Sequence, residues 1–318
     1  MAKPTHHFSF IIHPIPPYNF ELTARKPAGW PLFARGEIWQ GGTLWTALHI
    51  GNELVGVKLH SGGTIERPQI NTAVFLKESP DKSQMASIQN ILTSKLDADA
   101  NLSDFYMLAK KDLILKDTVK DLYGLHNTGF PTLFASATLA ISLQMAPIAR
   151  SNQMQECLIE RYGEVAEFES KTVRVWPMAK MISKTHVEEI YKECKWGYRA
   201  KFLVKTAEVI QSGFPTIEDL KQLTPERAKQ KIMELPGIGD YSADLMNPHG
   251  GFSIDAWSVD IFGKLFFGKD AETNRSAIEK IKTEGIKRWG KWARTAFVYV
   301  VHDIARLSKR TGIELRLS

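Results

Sequence analysis

The spacing of hydrophobic and polar positions changes near residue 100. Before that point the apolar runs are short and alternating, as in strands that bury one face. Phe8–His13 alternates and is stopped by Pro14, Pro16 and Pro17. Glu37–Ile50 and Glu53–His60 are β-prone and flank Gly51-Asn52, a dipeptide that favours a two-residue hairpin. Ser61-Gly62-Gly63 marks another turn, and Ile70–Leu76 predicts another strand. Phe20–Phe33 is ambiguous because Pro27 and Pro31 interrupt it. Ser83–Leu96 carries Met85, Ile88, Ile91, Leu92 and Leu96 at helical spacing and predicts an amphipathic helix.

After the polar stretch Asp97–Asn101 the pattern is helical to the end, in short segments punctuated by Gly, Pro and Thr. Predicted helices include Leu102–Lys111, Thr132–Met145, Ile148–Tyr162, Val175–Ile182, Tyr198–Gln211, Pro225–Glu234, Tyr241–Met246, Ala256–Phe267 and Gly290–Arg310. The expected fold class is α+β, with a β-rich domain over 1–101 and a helical body over 102–318.

The chain has 318 residues, of which 43% are hydrophobic, enough for more than one packed unit. Its net charge of +6 suits a polyanionic partner without requiring one. Two cysteines, Cys157 and Cys194, are too few for an iron–sulfur cluster and read as inert buried thiols of a reducing compartment. No apolar run is long enough to span a bilayer. Met1–His7 shows no apolar stretch after a basic one, so the expected location is a cytoplasmic nucleoid or a nucleus rather than the outside of the cell.

The most informative stretch runs from Leu223 to Asp244. Thr224 is a good N-cap and Pro225 suits a first helical position. The predicted helix ends at Leu235-Pro236-Gly237-Ile238-Gly239, and a second helix starts near Asp240, which reads as its N-cap. Gly237 and Gly239 leave backbone N–H groups open to a phosphate, while Ile238 can plug the bend into a core. With Tyr-Ser-Ala-Asp after it, this string resembles the helix-hairpin-helix superfamily of base-excision DNA glycosylases, with the hairpin over 225–246.

The resemblance covers residues from about Leu102 to the C-terminus and implies site residues. In the family a catalytic Asp opens the helix after the hairpin. Asp255 in Ser253-Ile254-Asp255-Ala256-Trp257 matches it, and Asp260 competes from inside the same helix. A carboxylate there stabilises the oxocarbenium character that develops as a sugar–base bond breaks. Members that also nick the strand carry a Lys two residues after the second hairpin glycine. Here that place holds Tyr241, which cannot form a Schiff base, so hydrolysis without strand scission is expected. One departure is plain: Asn247-Pro248-His249-Gly250-Gly251 interrupts the second hairpin helix, and the spacing to Asp255 is about one helical turn shorter than in the family.

Other matches follow. Met145 in Leu143-Gln144-Met145-Ala146-Pro147 corresponds to the wedge that fills the gap left by a flipped nucleotide, with Gln144 as its polar neighbour. Arg150 and Arg199, the latter in Gly-Tyr-Arg-Ala, match positions that contact the opposite-strand base. Tyr241 and Trp257 would line the base pocket, and the carbonyls of Met233, Leu235 and Ile238 would hold Na+ or K+ against a DNA phosphate. The basic run from Arg275 to Arg294, with Trp289 and Trp292 interleaved, reads either as a DNA-facing surface or as a solvated face with its tryptophans turned inward. The β-rich start fits the TATA-binding-protein-like domain that precedes the helical body in 3-methyladenine glycosylase II and 8-oxoguanine glycosylase. In those enzymes the helical part forms two subdomains with the active-site cleft between them.

The resemblance therefore implies a monomeric enzyme acting on double-stranded DNA with a damaged base. Cationic alkylated purines are good leaving groups that need only a carboxylate and an aromatic cradle, so 3-methyladenine is the favoured substrate type. The alternatives are an 8-oxoguanine-directed enzyme and a non-catalytic hairpin module that binds DNA.

Overall fold

A computed structural model describes the chain except residues 1–3, 5, 29–35, 52, 256–257, 269–273 and 317–318. Two compact units emerge, each assembled from three segments.

The first unit comprises Met1–Asp104, Leu122–Pro131 and Leu158–Pro177. Its sheet contains β1 (His6–Ile12), β2 (Ile38–Gln40), β3 (Thr43–Ile50), β4 (Glu53–Ser61) and β5 (Ile70–Leu76). All neighbours pair antiparallel in the order β1-β5-β4-β3-β2. Ile50 pairs with Glu53, so the hairpin closes where Gly51-Asn52 predicted it. The run expected as one strand over Glu37–Ile50 is divided by Gly41 and Gly42, both at positive φ. Strict alternation in β5 sends Ile70, Thr72, Val74 and Leu76 to one face. There they meet Ile12, Val57 and Leu59, together with Ile88 and Leu92 of the helix Lys82–Lys95. A reciprocal cap between Asp81 and Gln84 starts that helix.

The reading of 102–318 as purely helical needs correction. β6 (Val165–Phe168) and β7 (Lys171–Arg174) form a hairpin belonging to the first unit, and the helix expected over Val175–Ile182 spans only Ala179–Ile182. Its turn residues, Glu169 and Ser170, both adopt positive φ without glycine or asparagine, so the usual sequence signal is missing. Phe168 lies over Gly56, where an added Cβ would come within 2.5 Å of the ring. The same outer face of the sheet holds a concavity of about 520 Å³ lined by His7, Lys58, His60 and Asn71, and none of the predicted site residues lines it.

The second unit comprises Phe105–Asp121, Thr132–Cys157 and Met178–Ser318 and is helical. Thr132 caps Leu133–Leu143, a helix that is buried along nearly its whole length. Arg275–Trp289, capped by Asn274, is a helix that the hydrophobic pattern did not separate from its basic surroundings. Trp289 is buried against Phe252, Phe262 and Phe266, which favours the inward-tryptophan reading of that run. The helix expected over Gly290–Arg310 is three pieces: a 3-10 turn at Gly290–Trp292, then Ala293–His302 and Ile304–Thr311. Cys157 and Cys194 are joined in a disulfide across 37 residues, which corrects the expectation of two inert thiols. Among the described residues no helix is long and apolar enough to cross a membrane.

Candidate nucleic-acid interface and active site

The hairpin forms as its residues predict. The first helix is Pro225–Ile232, and the Thr224 hydroxyl accepts from the Arg227 N–H at 3.3 Å. The second is Asp240–Met246. Gly237 adopts φ +77°, a left-handed value that glycine reaches without strain. A Cβ there would also lie 2.5 Å from the Phe202 ring. Leu235 and Ile238 are buried, so both apolar residues of the bend plug into the unit.

Asp240 is not the N-cap. Gly239 takes that place in extended conformation, and Asp240 is the first helical residue. Its carboxylate pairs with Lys229 at 2.5 Å and also with Lys282. Asp244, one turn on, receives Lys229 and Lys282, each at 2.7 Å. Like charges four residues apart on a helix repel, and the two lysines offset that repulsion. Burial acts to raise the Asp240 carboxyl, but hydrogen bonds from Lys229 and Lys282 outweigh it and hold the group below the usual carboxylate range. This four-residue cluster ties both hairpin helices to Arg275–Trp289. The Asp-x-x-x-Asp spacing was its only sequence signal.

The interruption at Asn247–Gly251 is a packed turn. Asn247 donates to the Pro225 carbonyl at 3.0 Å and accepts from the His249 N–H at 3.1 Å. Arg294 donates to the Asn247 carbonyl at 2.8 Å and lies beneath Gly250, which has φ +85°. The His249 ring sits 3.3 Å from the Leu220 carbonyl. Gly251 packs on Asp244, where an added Cβ would meet the aspartate side chain at 2.8 Å. The loop thereby returns the chain across the second hairpin helix before it reaches Asp255.

Asp255 is half-buried and lies just ahead of the helix Ser258–Phe267. Its Oδ1 accepts from the Ser258 N–H at 2.9 Å and from the Ser258 hydroxyl at 2.7 Å. Its own N–H donates to Ser258 Oγ at 2.8 Å. The reciprocal cap fixes the carboxylate rotamer. Asp260, the competing candidate, pairs with Lys264 at 2.8 Å on the same helix. Tyr241 lies half-buried in the first turn of the second hairpin helix. Trp257 falls outside the described residues.

The residues expected to meet the duplex come together. Gln144 ends the helix Leu133–Leu143 and donates to the Gly237 carbonyl at 2.6 Å. Met145 follows at φ +46° with 89% of its surface exposed. Arg199 and Arg150, the residues expected at the opposite base, also hold backbone. Arg199 donates to the Gln144 carbonyl at 2.8 Å and the Met145 carbonyl at 3.1 Å. Arg150 donates to the Lys195 carbonyl at 2.6 Å.

No protein-family model matches the chain. The DNA-3-methyladenine glycosylase of Bacillus subtilis (strain 168) is 26% identical over 208 residues, covering 64% of this chain and 68% of that protein. The solved 3-methyladenine DNA-glycosylase of Archaeoglobus fulgidus superposes with a TM-score of 0.74 at 20% identity, over 93% of this chain and 98% of that one. The 8-oxoguanine glycosylase/lyase of Clostridium acetobutylicum, solved with double-stranded DNA containing cytosine opposite 8-oxoguanine, gives 0.70 at 15% identity over 98% and 100%. By fold the chain is similar to these solved DNA glycosylases, and by sequence to the Bacillus protein.

Proposed function

We propose that the chain is a DNA glycosylase of base excision repair that extrudes a damaged purine and hydrolyses its N-glycosidic bond without cutting the strand. The observation that carries this reading is Asp255: a carboxylate locked by Ser258 at a helix start, nine residues beyond the hairpin helix Asp240–Met246. The hairpin N–H groups bind a phosphate of double-stranded DNA, and Met145 fills the space of the extruded nucleotide. Asp255 stabilises positive charge at the anomeric carbon and orients water for attack there. The departing base takes the electron pair of the broken bond, and the water adds its oxygen to the sugar and releases its proton. Tyr241 supplies an aromatic wall. It offers no amine for imine formation, which supports hydrolysis alone.

The carbonyls of Met233, Leu235 and Ile238 are neutral oxygen donors around the bend. The Leu235 carbonyl already accepts the Ile238 N–H at 3.1 Å, and a carbonyl has a second lone pair. Such a set suits Na+ or K+, which would add positive charge beside the phosphate.

Alkylated purines, 3-methyladenine among them, are the favoured substrates, supported by the likeness to the Bacillus protein. The second reading, an 8-oxoguanine-directed enzyme, is supported by the likeness to the Clostridium enzyme and opposed by Tyr241. Release of free base from methylated and from oxidised duplexes, each with and without alkali, separates them. Base from methylated DNA with alkali-dependent breaks is the expected result. Breaks without alkali overturn hydrolysis alone, and binding without release of any base leaves a DNA-binding module.

A further inference from the structure

The wedge candidate stands on an unfavourable backbone. Met145 is neither glycine nor asparagine, yet it adopts φ +46° and directs an apolar side chain into solvent. A left-handed backbone is unfavourable for a residue with a side chain of this kind, so the surroundings must impose it. Arg199 is the imposing group. Its guanidinium donates through Nε and Nη2 to the Gln144 carbonyl and through Nη2 to the Met145 carbonyl. Charge-assisted bonds are stronger than neutral ones, and together these outweigh the strain. The Tyr198 ring stacks 4.7 Å from the guanidinium and sets its plane. Arg150 holds the start of the same segment through the Lys195 carbonyl. On the other side, the Gln144 side chain reaches the Gly237 carbonyl at 2.6 Å and lies 3.5 Å from Ser242 Oγ. Helix start, wedge loop and hairpin bend are therefore one hydrogen-bonded unit with Gln144 at its centre.

We propose that Arg199 is a positioning residue that, through Gln144, presents Met145 to the duplex at a fixed place relative to the hairpin. The inference rests on the reading of Met145 as the inserted side chain. A forked contact from Arg199 to a base edge would need the same nitrogens, and making it would release the Met145 turn. Lysine at 199 keeps the positive charge but has a single nitrogen and no planar fork.

The test uses the full chain and a duplex with a tetrahydrofuran abasic-site analogue beside 2-aminopurine, whose fluorescence rises as its stack opens. Wild type should give the rise and Met145→Ala should lose it. Arg199→Lys should lose most of it with binding changed less than about threefold and with a lowered melting temperature that leaves the protein folded at the assay temperature. In the Met145→Ala background, Arg199→Lys should change the signal by less than about twofold, because residues acting through one contact are not additive. Equal losses in both backgrounds, or a loss in Arg199→Lys that depends on the base opposite the site, overturn the proposal. An unchanged signal in Met145→Ala overturns the insertion reading and this inference with it. Base release from methylated DNA is measured in parallel. If it is absent while fluorescence behaves as expected, the glycosylase reading falls and the positioning role stands.

Discussion

Asp255 and Ser258 cap each other: the aspartate Oδ1 accepts both the N–H and the hydroxyl of Ser258, and Ser258 Oγ accepts the Asp255 N–H. The pair separates a structural from a chemical role. Asparagine at 255 keeps an oxygen for the Ser258 N–H but loses the negative charge. Asp255→Asn should therefore melt within about 0.5 kcal/mol of wild type while base release falls by about 10²-fold or more. Asp255→Ala should lose both, with about 1 kcal/mol of stability removed along with the cap. Undiminished release in the asparagine variant would sink the assignment of Asp255.

Much of this site was legible because its parts are local. Leu-Pro-Gly-Ile-Gly specifies a tight bend by the conformations it permits, and Asp255 precedes a helix that it caps. Strands whose alternation is strict, such as Ile70–Leu76, were read to the residue. What escaped the sequence depends on distant partners. The assignment of Asp240 as an N-cap failed because Lys282, 42 residues away, claims its carboxylate. The bonds from Arg150 and Arg199 to the Lys195 and Gln144 carbonyls also join residues that no spacing rule brings together. The β6–β7 hairpin was missed because Glu169-Ser170 makes a turn that sequence rules reserve for Asn-Gly.

The lysine–aspartate cluster makes the hairpin dependent on charge balance. Lys282 and Asp244 are both buried, and removing Lys282 leaves two carboxylates sharing Lys229 alone, one negative charge too many. Lys282→Met should cost about 2–4 kcal/mol in denaturant unfolding, and restoring neutrality with Asp244→Asn in the same chain should recover part of that. The Asp240 carboxyl lies below its ordinary range, so its contribution is present above about pH 4 and is lost as pH falls through the native value. Melting temperatures taken from pH 6 to pH 3 should fall less steeply in Asp240→Asn. Parallel curves would show that the cluster does not titrate as described.

The Cys157–Cys194 bridge joins the helix Ile148–Tyr162 to the segment that leads into Arg199. Closing a 37-residue separation removes chain entropy from the unfolded state worth roughly 4 kcal/mol. Reduction should therefore lower the melting temperature of wild type but not of Cys157→Ser, whose stability should match that of the reduced protein. Identical melting with and without reductant would show that the bond contributes nothing.

Lys26 supplies an alkaline signature of the first unit. It is buried and donates to Thr128 Oγ1 at 2.8 Å. Burial pulls its ammonium from 10.5 down to about 8, against opposing attraction from Glu37 and Asp97. Below pH 8 native and unfolded chains both hold the proton, and the cost of burying a cation is fully present. Between about pH 8 and 10.5 the unfolded chain still binds a proton that the native state has released, so rising pH favours folding. The stability difference between wild type and Lys26→Met should accordingly move toward wild type by about 2 kcal/mol from pH 7.5 to pH 10. The comparison cancels the tyrosines and exposed lysines that titrate in both proteins. A pH-independent difference would mean that Lys26 keeps its proton throughout, with Glu37 and Asp97 outweighing burial.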